Sequence, residues 1–239
     1  MKSIYITATD TDAGKTIVTG LFAAYLKSLN INVITQKWIQ TGANNFSGDI
    51  QKHWELMGTE PEKLKDFLYQ LVPYSFSFPG SPHLAANLEQ KQINPSKIIN
   101  AFHYLQGQFE SIIVEGVGGV LVPYDNENTV LDIACELSLP VILVIDNKLG
   151  AINHALMSID SLKSRGMSIL GMIFNQSRPF VDPIISKDNI EIIKTMTGVP
   201  FLGELPHCQD YDELKNRFIP IGDKILAGKL KGGTLWNNG

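Results

Sequence analysis

Only two of the 239 residues are cysteine, Cys135 and Cys208. They stand far apart with no Cys/His pattern nearby, which excludes a disulfide framework and a zinc site and fits a reducing cytosol. Basic charge is also scarce. Twenty Lys and Arg face 24 Asp and Glu, a net charge of -4, so the chain lacks the positive excess that grips nucleic acid through its phosphates. No apolar run reaches the roughly 20 residues needed to span a membrane. The N-terminus has one lysine and then a short strand-like run, not the apolar core of a signal peptide. The expectation is a soluble, cytoplasmic protein with small-molecule partners, bound to neither nucleic acid nor a membrane.

What is abundant is short Ile- and Val-rich runs alternating with longer stretches of helical period, the pattern of a parallel sheet covered on both faces. Strands are expected at 3–8, 33–38, 111–115, 141–145, 168–174 and 200–203. Helices are expected at 15–29, within 48–57, and at 62–71, 95–107, 130–137, 152–164, 188–197 and 211–226. No repeat or low-complexity linker divides the series. It predicts a single α/β domain over 1–228, doubly wound, with a mostly parallel sheet and helices on both faces, followed by a frayed tail at 229–239.

Between the first strand and the first helix lies "ATDTDAGKT", residues 8–16. It ends like a phosphate-binding loop and lies where such a loop must, with its amides and a helix N-terminus aimed at one anion. Gly14 allows close backbone approach, Lys15 supplies a cation for the outer phosphates, and Thr16 offers a hydroxyl to Mg2+. No glycine precedes Gly14, however, and acids stand at Asp10 and Asp12. A second element, "SIIVEGVGGVLVP", ends a buried strand on Glu115 and continues through Gly116, Gly118 and Gly119. A charge there is costly unless paired, and strand carboxyl ends are where ligands bind in such sheets, so Glu115 is placed to hold Mg2+. A third, "ITQKWIQTG", brings Lys37 to a strand end with Thr41 after it, and "SGDIQ" adds Asp49. Alone, Lys37 is more often a solvated lysine, and Asp49 more often a helix cap or surface acid. His53, His103 and His207 show no ligand spacing, and His53 and His103 are assigned no chemistry. Ser81-Pro82-His83 reads as a structural or substrate-lining turn, and His154 as a structural or interface residue.

Taken together these elements resemble dethiobiotin synthetases, a family of the P-loop NTPase superfamily. The family loop G-T-D-T-x-V-G-K-T is followed by residues 8–16, and its acids belong to the pattern. "QKWIQTG", "SGD", "SFPGSPHLAA", "VEGVGG" and "DNKLGAINHALM" are similar, in the same order, to the other family motifs. Ala8 replaces the first loop glycine, Trp38 replaces a proline after the lysine, and Asp12 stands where a glutamate is common.

The resemblance implies ATP-dependent carboxylation and ring closure of 7,8-diaminopelargonate with CO2. Lys37 and Lys15 would be catalytic, and Thr16, Asp49 and Glu115 the Mg2+ ligands. Nucleotide contacts would come from Asp12, Ala13, Gly14, Lys15, Thr16, Ile17, Asp49, Glu115, Gly116, Val117 and Gly118. The base would meet Asn175 and Gln176 in "MIFNQ" and Pro206, His207 and Glu213 beyond "LGELP". Thr41 would position the diamine. Its carboxylate would meet Gly150, Ala151, Ile152 and Asn153 of a neighbouring subunit, so a homodimer is expected.

Two other classes share the expected fold. A partitioning or cell-division ATPase carries a lysine where this loop has Asp10. A ligase of the cobyrinate-amidating kind would bring a glutamine amidotransferase domain, for which 239 residues leave no room.

Overall fold

The computed structural model describes residues 3–43 and 46–231. In order these form β1 (Ile4–Ala8), α1 (Lys15–Ser28), β2 (Val33–Lys37), β3 (Ile39–Gln40), α2 (Gly48–Met57), a 3-10 segment (Pro61–Phe67) and α3 (Leu68–Leu71). There follow β4 (Tyr74–Ser75), α4 (Pro82–Leu88), α5 (Pro95–Gln106), β5 (Ser111–Glu115), α6 (Val130–Glu136), β6 (Val141–Asp146) and α7 (Ala151–Ser164). The chain continues through β7 (Ile169–Asn175), α8 (Pro183–Thr197), β8 (Phe201–Leu205) and α9 (Tyr211–Lys231).

Six strands make one sheet in the order β2-β5-β1-β6-β7-β8, every neighbouring pair parallel. Every residue of β1, β5 and β6 is buried, because both faces of the sheet are covered. Successive side chains point to opposite faces. Ile4, Ile6, Ile113, Ile142 and Val144 meet Val18, Leu21 and Phe22 of α1 and Phe218 and Ile221 of α9. Tyr5, Ile112, Val114, Leu143 and Ile145 meet the other layer, including Phe102 of α5, Leu131 of α6, Ile159 of α7 and Ile193 of α8. The expected doubly wound α/β architecture is present. Among the described residues no helix is long and apolar enough to cross a membrane.

The differences from expectation are local. The stretch 62–71 is not one α-helix: Pro61–Phe67 is 3-10 and only Leu68–Leu71 is α. Its inward side chains Leu64 and Phe67 stand three apart, the repeat of a 3-10 helix. The segment read as a Ser-Pro-His turn opens helix α4, with Pro82 at the helix start and Ala85 and Ala86 buried. β3 and β4 pair in a separate two-stranded sheet, too short to show a period in sequence. Helix α8 starts at Pro183 rather than 188, capped by the Asp182 side chain. Helix α9 runs to Lys231, past the expected 226 and despite Pro220, because Leu214, Phe218, Ile221 and Ile225 keep one stripe buried. Residues 232–239 of the expected tail lie outside the described residues.

Candidate active site

Strand order reverses at β1, with β5 on one side and β6 on the other, and ligand crevices in open parallel sheets form at such a point. A cleft of about 430 Å³ opens there, its walls including Lys15, Thr16, Lys37, Thr41, Asp49 and Glu115.

The loop from β1 to α1 explains its own sequence. Gly14 has φ 102, in the left-handed region, and a Cβ there would run into the Asn175 amide, so glycine is required twice over. Helix α1 has no side-chain cap and no acid in its first turn, which leaves its first amides for a ligand. The loop acids do not fill that position. Asp10 accepts from Thr11 N at 2.8 Å, and Asp12, at φ 57, is exposed. Ala8 is a fully buried strand residue. Lys15 Nζ donates to the Asp10 carbonyl at 2.9 Å. Burial, and then the neighbouring Lys37 charge, pushes the Lys15 ammonium down to about 8, against the pull of Glu115, Asp49 and Asp12.

Register sets the next pair. Lys37 and Glu115 are aligned neighbours at the ends of β2 and β5. Lys37 Nζ lies 2.8 Å from Glu115 Oε1, 2.8 Å from Asp49 Oδ2 and 2.9 Å from the Gly116 carbonyl. Burial opposes the Lys37 charge, but the two carboxylates outweigh it and raise the ammonium above its ordinary range. Burial likewise opposes ionisation of Glu115, yet Lys37 and a hydrogen bond from His53 hold its carboxyl well below the usual carboxylate range.

Thr16 Oγ1 lies 3.0 Å from Glu115 Oε1 and 3.3 Å from Asp49 Oδ1. These three oxygens, from α1, α2 and β5, form a hard-donor set suited to Mg2+. Among the described residues no group of three or more His, Cys, Asp or Glu forms a cation site. A metal at this cleft therefore needs the threonine hydroxyl and ligand oxygens to complete its shell.

Ile17, Val117 and Gly118 also line the cleft, while Ala13 is buried beneath the loop. A Cβ on Gly116 would meet the Tyr5 hydroxyl at 2.5 Å. Asn175 is brought to the loop, where its amide donates to the Ala13 carbonyl at 3.0 Å. Gln176 instead turns to Glu204 at 3.0 Å. Pro206, His207 and Glu213 follow β8 and line no part of this cleft; His207 is exposed and Glu213 pairs with Arg217 at 3.1 Å. Gly150, Ala151, Ile152 and Asn153 open α7 and are likewise outside it. Lys148, just before them, binds Asp146 at 2.8 Å and comes within 3.7 Å of Asp10.

Trp38, which stands where the family has a proline, lines no part of the cleft: its ring is fully buried, stacked on Tyr5 at 5.3 Å, with Nε1 donating to Gln36 Oε1 at 2.8 Å. One step along a strand turns a side chain to the opposite face, so the indole fills the core. His53, assigned no chemistry, is fully buried with Nε2 2.7 Å from Glu115 Oε2. The signal for it was the four-residue step from Asp49, which puts both on one helix face.

A family described as an AAA domain matches residues 2–215. ATP-dependent dethiobiotin synthetase BioD 2 of Pasteurella multocida (strain Pm70) is 41% identical over 193 residues, covering 81% of this chain and 90% of its own. ATP-dependent dethiobiotin synthetase BioD of Lysinibacillus sphaericus (strain C3-41) is 34% identical over 247 residues, covering 100% of both. Solved structures share the fold at lower identity. Cobyrinic acid a,c-diamide synthase from Mycobacterium smegmatis, with bound ATP analog and magnesium, has a TM-score of 0.61 at 14% identity, covering 98% of this chain and 97% of its own. The septum site-determining protein MinD complexed with Mg-ADP, from Pyrococcus horikoshii OT3, has 0.58 at 20%, covering 95% and 98%. These two show the fold alone. By identity over most or all of both chains, this chain belongs to the dethiobiotin synthetase family.

Proposed function

We propose that this chain is a cytoplasmic ATP-dependent dethiobiotin synthetase, a ligase of biotin synthesis that closes a ureido ring on 7,8-diaminopelargonate with CO2. The observation that supports it most directly is the cluster of Lys37, Glu115, Asp49 and Thr16 beside an uncapped α1 N-terminus. One amine of the substrate traps CO2 as a carbamate. A carbamate oxygen attacks the γ-phosphorus of ATP, the bond to the β-phosphate oxygen breaks, and ADP departs. The second amine then attacks the carbonyl of the resulting carbamic-phosphoric anhydride, closes the ring and expels phosphate.

Negative charge gathers on carbamate and phosphate oxygens in both later steps, so fixed cations are the effective catalysts. Lys15 serves the transferring phosphate, and Lys37 serves the carbamate from a position where flanking carboxylates keep it charged. Loop amides from Asp12 to Thr16, with Ile17 and Gly116 to Gly118 alongside, seat the phosphates. Thr16, Asp49 and Glu115 would hold Mg2+, which would supply positive charge against the developing charge of the phosphoryl group. Thr41 orients the diamine through its hydroxyl. Asn175 and Gln176, with Pro206, His207 and Glu213, face the base. In a homodimer the α7 N-terminus of the second subunit, Gly150 to Asn153, receives the substrate carboxylate through first-turn amides and the helix dipole. Residues 1–228 act as one catalytic domain.

Release of ADP measured with and without diamine and bicarbonate tests this. Strict dependence on both is the expected result, whereas steady ATP hydrolysis without diamine would point to a nucleotide-switched ATPase.

A further inference from the structure

His53 makes the closest contact in the site that the mechanism above does not use. Its Nε2 lies 2.7 Å from Glu115 Oε2, with the imidazole at 0% and the glutamate at 1% exposure. The other oxygen, Oε1, meets Lys37 Nζ at 2.8 Å and Thr16 Oγ1 at 3.0 Å. The two oxygens are thus divided, one toward the cleft and one toward His53. An ionised carboxylate only accepts, so the shared proton belongs to His53 Nε2.

In the neutral imidazole Nδ1 is then an acceptor, and it meets no hydrogen-bond partner among the described residues. A bare buried acceptor costs about 1–3 kcal/mol, which an apolar side chain of similar size would avoid. Packing alone therefore does not account for an imidazole here. The terminal torsion of a glutamate is broad and has no strong intrinsic preference. Only partners can fix the plane of the Glu115 carboxylate, and His53 is the partner on its far side. The helix is built to bring it there. Asp49 and His53 share one face of α2, and at Gly20 of α1 a Cβ would sit 2.5 Å from Leu56 Cδ1 and 3.3 Å from His53 Cα, so glycine admits the close helix pairing.

We propose that His53 is a positioning residue that holds Glu115 Oε2 and thereby presents Oε1 to Thr16 and to the divalent cation. The proposal rests on the functional reading above for the presence of that cation. Hydrogen-bonded partners behind metal ligands are typically worth roughly 10- to 100-fold in metal affinity.

The test uses Mn2+ with ADP as the probe, its binding to the full chain followed by electron paramagnetic resonance. Binding of ADP without metal is measured in parallel. His53→Gln keeps an amide N–H near the Nε2 position, and His53→Leu keeps bulk without a donor. The leucine variant is expected to bind Mn2+ roughly tenfold or more weakly with metal-free ADP binding little changed, and the glutamine variant to recover most of the loss. If His53→Leu does not fold by circular dichroism, His53→Asn, whose amide ends short of Glu115, replaces it with the same expectation. Wild-type Mn2+ binding in the variant without a reaching donor overturns the proposal. So does an equal loss in the glutamine variant, which marks the site as mere packing. Those outcomes leave diamine-dependent turnover of the wild type standing. Wild type that binds no Mn2+ with ADP overturns the functional reading itself, and the positioning role with it.

Discussion

The two sides of the crevice are built differently. On the β2–β5 side Lys37, Glu115 and His53 are buried and joined by contacts of 2.7 to 2.8 Å. On the β7–β8 side and at the start of α7, His207, Glu213 and Gly150 are exposed and line no part of that cleft. Charges that must act on reacting groups gain most where water is excluded, and they are set in advance. Groups proposed to recognise the base and the substrate tail are left open, to be completed by a ligand or a second subunit.

The sharpest way to break that contrast is Lys37→Gln. One fixed electrostatic contact is worth about 3 kcal/mol or more, so turnover should fall at least a hundredfold while nucleotide binding, measured by calorimetry, changes far less. Near-normal turnover would mean that the buried cluster is scaffolding. Glu115→Gln comes next. Its Mg2+ requirement in a turnover titration should rise roughly tenfold or more. The same substitution alters acid stability with a definite sign. The folded carboxyl is held below its ordinary range, so wild type has this stabilisation above about pH 4.3 and loses it as pH falls. Urea midpoints recorded at several pH values should decline more steeply for wild type than for the variant.

The open side calls for a mixing experiment. Lys37→Gln and Gly150→Glu chains, each inactive alone, should on subunit exchange recover roughly a quarter of wild-type activity. Half of the random dimers then carry one intact site of two. No recovery in mixtures shown to exchange would make the site complete within one chain. The smallest effect belongs to Trp38→Phe. Losing the bond to Gln36 should cost about 1–3 kcal/mol and lower Tm by several degrees, with kcat and KM unchanged. A fall in kcat would show that the core behind the cluster also tunes it.

Much of this was legible in the residues because it repeats a period or fills a spacing. β1, β5 and β6 announced themselves by Ile- and Val-rich runs, and Gly14-Lys15-Thr16 by its place between strand and helix. Pairing was harder. Lys37 reads alone as a surface lysine, and only the β2–β5 register reveals that it abuts Glu115. The pairing of His53 is hidden because its partner is 62 residues away, and adjacency in sequence hides that Trp38 turns to the core while Lys37 lines the cleft. The short β3–β4 sheet and α4 carry too few residues to show a period at all.

The place of β1 in the sheet governs how the molecule comes into being. Its neighbours are β5 and β6, so residues 4–8 have no strand to join until residue 115 has been synthesised, and no second neighbour until residue 146. At about 5–20 residues per second, that interval lasts on the order of ten seconds. Throughout it the apolar stretch "IYITA" and the phosphate loop behind it emerge from the ribosome unsupported, a natural substrate for chaperones. The phosphate loop, which follows β1, thus depends on contacts that span more than a hundred residues, the kind whose closure is slow.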